Sequence, residues 1–501
     1  DAPRGESQRG EYRGIGGGVA SLFTANCAVC HAENLTGAAQ GTPLVGVDLM
    51  HGDSVGGISQ SISNGFPDKG MPAWSAVLTG EQIKSLALYV AESRSGFTYT
   101  DFNIASELVL PEGIQHSEEH DFRLELVVEG LDPLPFSIAP LPDGRILLTE
   151  KMRGLSIISR DGRKSDFITG TPATYDDARV TGIQLSYGLG WLLDVAIHPR
   201  YEENGWVYLH YTDRCSDCNA MSRETDRPVS MNTLIRGRIL DGAWVDEEII
   251  WKADIEVYTD ITDLAAGGRI AFDPEGFVFI SIGMKGPGAY TGIQNLATPY
   301  GKILRLHDDG RIPLDNPFVD TAGAVKTIWT YGHRSPQGLE FDVRNRQLWG
   351  TEHGPRGGDE INLLLPGKNY GWPLYSKGMN YNGTTVDHGK RLGIEFELKD
   401  IQQPIVDLTP SPAVSSFVFY EGNAFPQWRH NLIVGTLKAT ELYRMVIEKN
   451  KLVHRETLIQ NLARIRDLEV GPNGEIYLLL EHAAGGQIVR LTPTKEVAAS
   501  P

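Results

Sequence analysis

Asp273-Pro274-Glu275-Gly276-Phe277-Val278-Phe279-Ile280 is a turn running into an apolar strand, and most of this chain is built from that unit. Pro presets the backbone of a tight turn and Gly tolerates the positive φ that follows. Phe, Val and Ile then favour a buried, pleated strand. The device recurs at Leu141-Pro142-Asp143-Gly144, before Arg145-Ile146-Leu147-Leu148-Thr149, and at Gly471-Pro472-Asn473-Gly474, before Glu475-Ile476-Tyr477-Leu478-Leu479. Looser copies are Asn204-Gly205-Trp206-Val207-Tyr208-Leu209, Asn345-Arg346-Gln347-Leu348-Trp349-Gly350 and His430-Asn431-Leu432-Ile433-Val434-Gly435. Helical periodicity is scarce beyond residue 122. Six copies predict an all-β six-bladed β-propeller over 122–495, its edges protected by radial closure. The gaps 281–330 and 361–415 are expected to hold loops and extra strands. A β-sandwich with chance repeats is the alternative that pattern alone leaves open.

A different segment precedes the repeats. Cys27-Ala28-Val29-Cys30-His31 reads C-x-x-C-H, the attachment pattern of a c-type haem. Two thiols at this spacing add to the two vinyl groups of one porphyrin, and His31 reaches the iron as proximal ligand. Met71, in Gly70-Met71-Pro72-Ala73-Trp74, stands where a distal thioether would raise the potential. Leu86-Ala87-Leu88-Tyr89-Val90, after Thr79-Gly80-Glu81-Gln82, predicts a closing helix with an acidic start. A chance match, a zinc pair or a redox pair is the competing reading of the cysteines. The segment 13–97 resembles a small α-helical class I cytochrome c, with 98–121 as the linker to the propeller. A haem joined to a large domain implies that the large domain makes or uses electrons.

Bulk properties set limits. A chain of 501 residues is too long for one ordinary core, so a small and a large domain are expected. No apolar run approaches the roughly 20 residues that span a bilayer. A net charge of −18 argues against nucleic acid or an anionic membrane surface as partner and suits a basic electron acceptor. The remaining two cysteines, Cys215 and Cys218, have no partner pair for zinc and no βαβ context, which predicts a local disulfide. That and the haem pattern point to the periplasm, with a signal peptide expected to have been removed.

Three stretches carry chemistry in the propeller. They are Tyr331-Gly332-His333-Arg334-Ser335-Pro336-Gln337-Gly338, Thr351-Glu352-His353-Gly354-Pro355-Arg356-Gly357-Gly358-Asp359-Glu360, and Ala463-Arg464-Ile465-Arg466-Asp467. Together they resemble the soluble PQQ-dependent glucose/aldose sugar dehydrogenase family, a six-bladed propeller, over about 122–495. PQQ is a flat tricarboxylic ortho-quinone, and the guanidinium fork suits carboxylates. The resemblance implies that Arg464 and Arg466 bind the cofactor's acid groups; alternation along a strand puts both on one face. It makes Lys438 a cofactor lysine and Arg334 the arginine over the quinone oxygens. It also implies a calcium ion held by the main-chain carbonyls of Gly354 and Pro355, hard oxygens that calcium prefers. Asp359 and Glu360 either join this site or bond neighbouring backbone.

The sequence departs from the family at the substrate face. The family's general-base histidine falls at Ala265, in Leu264-Ala265-Ala266-Gly267-Gly268-Arg269, and its supporting acid at Met284. A family glutamine becomes Leu189, and an asparagine beside the cofactor arginine becomes Ser335. Asp263 is the first substitute base to consider, with Lys285 and Tyr290 behind it; His353 is expected to be structural. Two functions stay open. One is a quinohaemoprotein that oxidises an alcohol, aldehyde or sugar and passes electrons through its haem to a cytochrome or copper protein. The other is an inactive propeller that binds a ligand or docks a partner for the cytochrome. With Leu189, Trp191, Ala265 and Met284 at the substrate face, a less polar small molecule than a sugar is expected.

Overall fold

The computed structural model describes residues 15–96, 108–176, 179–180, 185–186, 188–285 and 290–494. The N-terminal part is helical: α1 (Ile15–Asn26), α2 (Ala28–His31), α3 (Val55–Asn64) and α4 (Gly80–Ser95). Phe23, Ile58, Ile62, Ile83, Leu86 and Val90 form its core. The expected closing helix is α4. Thr79 accepts from the Gln82 amide at 3.2 Å while the Gln82 side chain takes the Thr79 amide at 2.9 Å, a reciprocal cap that fixes where the helix starts.

The rest is a ring of antiparallel sheets. Its inner strands are β1 (Pro135–Pro140), β2 (Leu192–Ile197), β3 (Gly267–Phe272), β4 (Pro336–Asp342), β5 (Val414–Phe419) and β6 (Arg464–Val470). Each packs against the next, and β6 returns to β1. Every one of the six sequence copies is the turn from an inner strand to the second strand of its blade. In the three strict copies the amides of Gly144, Gly276 and Gly474 close the turn, with φ of +85°, +87° and +86°, a region that costs glycine nothing. The last blade takes its outer strand from the other end of the domain: Asp121–Leu131 lies beside Gly486–Pro493, with Phe122 opposite Pro493. The six-bladed reading therefore holds, and the long gaps carry third and fourth strands at Lys302–His307, Ile328–Tyr331, Glu360–Leu363 and Val406–Asp407.

Residues 98–107 of the expected linker lie outside the described residues. Beyond it Leu108 and Leu110 pack on the sixth blade, and Gln115–His116 pairs with Asp121 and Phe122. Cys215 and Cys218 are joined as a disulfide. No helix among the described residues is long and apolar enough to cross a membrane.

Candidate quinone face and haem segment

In an antiparallel blade, the inner strand starts where the second strand ends. Trp191, Ala265, Ser335 and Arg464 stand at inner-strand starts. Lys151, Met284, Gly354, Lys438 and Glu481 stand at second-strand ends. All of them therefore share one face of the ring, and hydrogen bonds tie most of them into a belt. The Asp263 amide donates to the Gly188 carbonyl at 3.0 Å, and Met284 to the Arg334 carbonyl at 2.9 Å. The Arg334 amide donates to Glu352, and its guanidinium to the His353 carbonyl at 3.2 Å and the Tyr381 hydroxyl at 3.1 Å. The Gln337 side chain donates to the Ser335 hydroxyl at 2.9 Å and accepts from Arg466 at 3.1 Å.

The belt ends in a buried ionic group. Arg464 and Arg466 bond the two oxygens of Glu481 at 2.8 and 2.6 Å, and the Lys151 ammonium stands 3.4 Å from the same carboxylate. Lys151 also lies over the rings of Phe136 and Trp191, 5.5 and 5.9 Å from their centroids. Among the described residues, this one carboxylate stands against two guanidinium groups and an ammonium. Burial and the two guanidinium groups push Lys151 down to about 7, while the surrounding cations hold Glu481 well below the usual carboxylate range. A buried excess of cations is a site for a polyanion, so these residues fit a tricarboxylic cofactor. Neither Lys151 nor Glu481 was singled out in the sequence. Counting seven residues from the turn glycines 144, 276 and 474 lands on Lys151, Gly283 and Glu481, so the repeat itself marks this face.

The other candidates take different places. Asp263 is buried under four donors: Lys285, the Ser230 hydroxyl at 2.8 Å, the Gly190 amide at 2.7 Å and the Thr212 hydroxyl. Its lone pairs are engaged, and so is the Lys285 ammonium, which makes the pair an internal brace between blades and a poor source of a base. The Gly354 amide donates to Asp359 at 3.1 Å, and the Val414 amide to its other oxygen at 2.9 Å, so Asp359 serves backbone. A Cβ on Gly354 would stand 2.3 and 2.4 Å from the carbonyl oxygens of Gly358 and Gly357. This oxygen-rich turn suits a hard cation in donor type; among the described residues no cluster of three or more acidic, His or Cys side chains could hold a metal. The Lys438 amide bonds the Pro412 carbonyl at 3.0 Å, which anchors that loop beside β5.

In the helical part, Cys27 and Cys30 flank Val29, which is 79% exposed. His31 Nδ1 lies 2.8 Å from the Thr42 carbonyl, which commits that nitrogen and leaves Nε2 for a metal. Met71 is fixed in a turn by paired amide bonds with Phe66 at 2.8 and 3.1 Å. Half-buried Leu44, Val45, Leu49, Val55 and Trp74 pack against the helical core. Two thiols, a directed imidazole and a half-buried apolar surround fit a covalently bound haem.

Residues 133–490 match the glucose/sorbosone dehydrogenase family, and residues 18–90 match the family of subunit III of cbb3-type cytochrome c oxidase. The aldose sugar dehydrogenase YliI of Escherichia coli is 31% identical, covering 74% of this chain and 92% of that protein. Quinoprotein glucose dehydrogenase B of Acinetobacter calcoaceticus is 26% identical over 75% of this chain and 88% of its own length. The apo crystal structure of the E. coli aldose sugar dehydrogenase superposes with a TM-score of 0.62 at 31% identity, over 74% of this chain and all of that one. The propeller, the cationic belt and the C-x-x-C-H segment thus meet in one chain, which belongs to the glucose/sorbosone dehydrogenase family and carries a cytochrome c domain at its N-terminal side.

Proposed function

We propose that the chain is a periplasmic quinohaemoprotein dehydrogenase that oxidises a small alcohol or aldehyde and delivers the electrons to its own haem. The observation that carries this is the buried group Lys151, Arg464, Arg466 and Glu481, in which, among the described residues, three basic side chains converge on one carboxylate. PQQ, when bound, supplies an electrophilic quinone that accepts two electrons, and a calcium ion at Gly354–Pro355 would polarise it. Arg464, Arg466, Lys151 and Lys438 would hold its carboxylates, while Arg334 and Ser335 orient its quinone edge. The relative named as a quinoprotein supports the same cofactor. Asp263 is not assigned as the base, because Lys285 and three further donors already occupy it. A haem held by Cys27, Cys30 and His31 would pass these electrons to an external cytochrome or copper protein.

The substrate side of the same face is apolar. Phe136, Met152, Trp191, Leu193 and Ala266 form one buried cluster, with Leu189 buried and Met284 half-buried nearby. Trp191 is buried beneath Lys151, and among the described residues its indole N–H has no acceptor. A sugar hydroxyl buried without a partner costs about 1–3 kcal/mol, whereas apolar ligand surface gains roughly 25 cal/mol per Å². Two experiments test the reading. Denaturing the purified protein should release PQQ, or apo-protein should bind added PQQ in the presence of calcium. Haem reduction should then respond to aromatic and aliphatic alcohols or aldehydes more efficiently than to glucose. Failure to bind PQQ would leave the inactive-propeller reading; efficient glucose oxidation with a silent apolar panel would refute the substrate class.

A further inference from the structure

Helix α4 belongs to two bodies at once. Ile83, Leu86, Ala87, Val90 and Ala91 enter the cytochrome core. Glu81, Leu88 and Glu92, with the adjacent Lys84 and Ser85 between them, form the other stripe at three- and four-residue steps and meet the propeller. Glu81 accepts from the Thr385 amide at 2.9 Å, and Lys84 reaches the Gly378 carbonyl at 3.5 Å. A Cβ added to Gly383 would stand 2.9 Å from the Ser85 hydroxyl, and one on Gly357 would stand 3.3 Å from a Leu88 methyl. Glu92 takes Arg356 through both oxygens, at 2.7 and 3.1 Å, and both side chains are less than a tenth exposed. A two-pronged pair removed from water needs its partner: stripping one member leaves a buried charge and costs a factor on the order of 100 or more in the docking equilibrium.

The propeller segments that α4 touches also touch the candidate quinone face. Arg356 and Met379 exchange main-chain bonds at 3.0 and 2.8 Å, which joins the Gly354–Pro355 loop to the segment 376–385. Within that segment Tyr381 accepts from Arg334, and Arg334 also holds the His353 carbonyl. Loop 353–358 and segment 376–385 therefore form one wall with α4 on one side and Arg334 on the other.

We propose that the cytochrome is a fixed acceptor, docked on this wall by the Glu81–Glu92 stripe of α4, rather than a tethered domain that finds the quinone by diffusion. This rests on the electron route of the proposed function. Oxidising one substrate molecule delivers two electrons and two protons to the quinone. The electrons leave one at a time, each reducing ferric haem to ferrous with release of one proton, and an external one-electron acceptor reoxidises the haem between them. Glu92, Leu88 and Arg356 are positioning residues: they hold the haem domain and take no part in the chemistry.

Two variants on the cytochrome side, Glu92→Gln and Leu88→Glu, test this; Leu88 lies outside the cytochrome core, so haem attachment is expected to persist and the haem spectrum checks it. Small-angle scattering of the haem-loaded full chain needs no quinone. The wild type should behave as one compact body, with a radius of gyration of about 23 Å for 501 residues, and both variants should be larger. With PQQ, calcium and substrate, haem reduction in the wild type should be first order and independent of protein concentration. In the variants it should slow by about tenfold or more, while transfer from the quinone to a small dye stays within about twofold of wild type. An extended wild type, or variants that stay compact and reduce haem at the wild-type rate, would overturn the proposal. If no substrate reduces the quinone in any form, the electron route fails, and the scattering comparison still decides whether the domain is docked.

Discussion

Lys151 shows how one residue sets a pH dependence. A lysine that would titrate near 10.5 when free is pushed down to about 7, first by burial, then by Arg466 and Arg464. Between those values the folded apo-protein leaves it neutral where an unfolded chain would carry the proton, so this group makes stability rise with pH across that window. A bound polyanion restores the charge, and binding then takes up a proton. PQQ affinity of apo-protein is accordingly expected to fall as pH rises above 7, approaching about tenfold per pH unit, and Lys151→Met should flatten the slope. Titrations at three pH values read this directly; an equal slope in both proteins would remove Lys151 from the site. Asp263 shows the opposite case. A carboxylate chosen from the sequence as a substitute base is filled by Lys285, Ser230, Thr212 and the Gly190 amide, contacts that only the packing of two strands and two loops creates.

At the scale of elements, α4 and the blade turns were legible for different reasons. Thr79 and Gln82 announce the helix start chemically, and the turn glycines announce strand pairs through a backbone requirement. What the sequence conceals in α4 is its second buried stripe, because Glu81, Lys84 and Glu92 look like a solvated face until Arg356 and segment 376–385 arrive from nearly 300 residues away. Removing the cap should weaken both roles of the helix together. Thr79→Ala is expected to cost about 1 kcal/mol and to lower the melting temperature followed at the haem absorbance by about 4–8 °C. A melting curve unchanged by this substitution would mean that the cap carries no stability there.

At the scale of the molecule, ring closure creates a charged cluster whose chemistry belongs to no single blade. Asp194 on β2, Glu340 on β4, and Asp467 and Glu469 on β6 surround Arg269 of β3. Arg269 bonds Asp467 at 2.8 Å and Asp194 at 3.4 Å, and the Ile270 and Ile138 amides donate to the two aspartates. One guanidinium cannot balance four carboxylates, so burial and mutual repulsion push Asp194 up to about 6, Glu340 up to about 8, and Glu469 well up. Asp194, Glu340 and Glu469 lie close enough to titrate together. A raised carboxylate keeps its proton when folded and loses it when unfolded, so stability falls as pH rises from about 4.5 to about 8. Glu340→Gln mimics the protonated form and is expected to raise the urea midpoint at pH 8 more than at pH 5. An equal change at both values would show that Glu340 stays ionised in the fold.

Taken by itself, the sequence determined the haem segment, the number of blades and the shared strand face of Arg464 and Arg466. Each of these rests on local chemistry: two thiols and an imidazole at fixed spacing, a turn that requires glycine, and alternation along a strand. Tertiary structure alone decided that Lys151 and Glu481 complete the cationic group, that Asp263 is a brace, and that α4 is shared by two domains. The physical reason is that charge balance and desolvation depend on which groups meet in space. Lys151 meets Glu481 because the ring closes, and Glu92 meets Arg356 because α4 packs against a propeller loop.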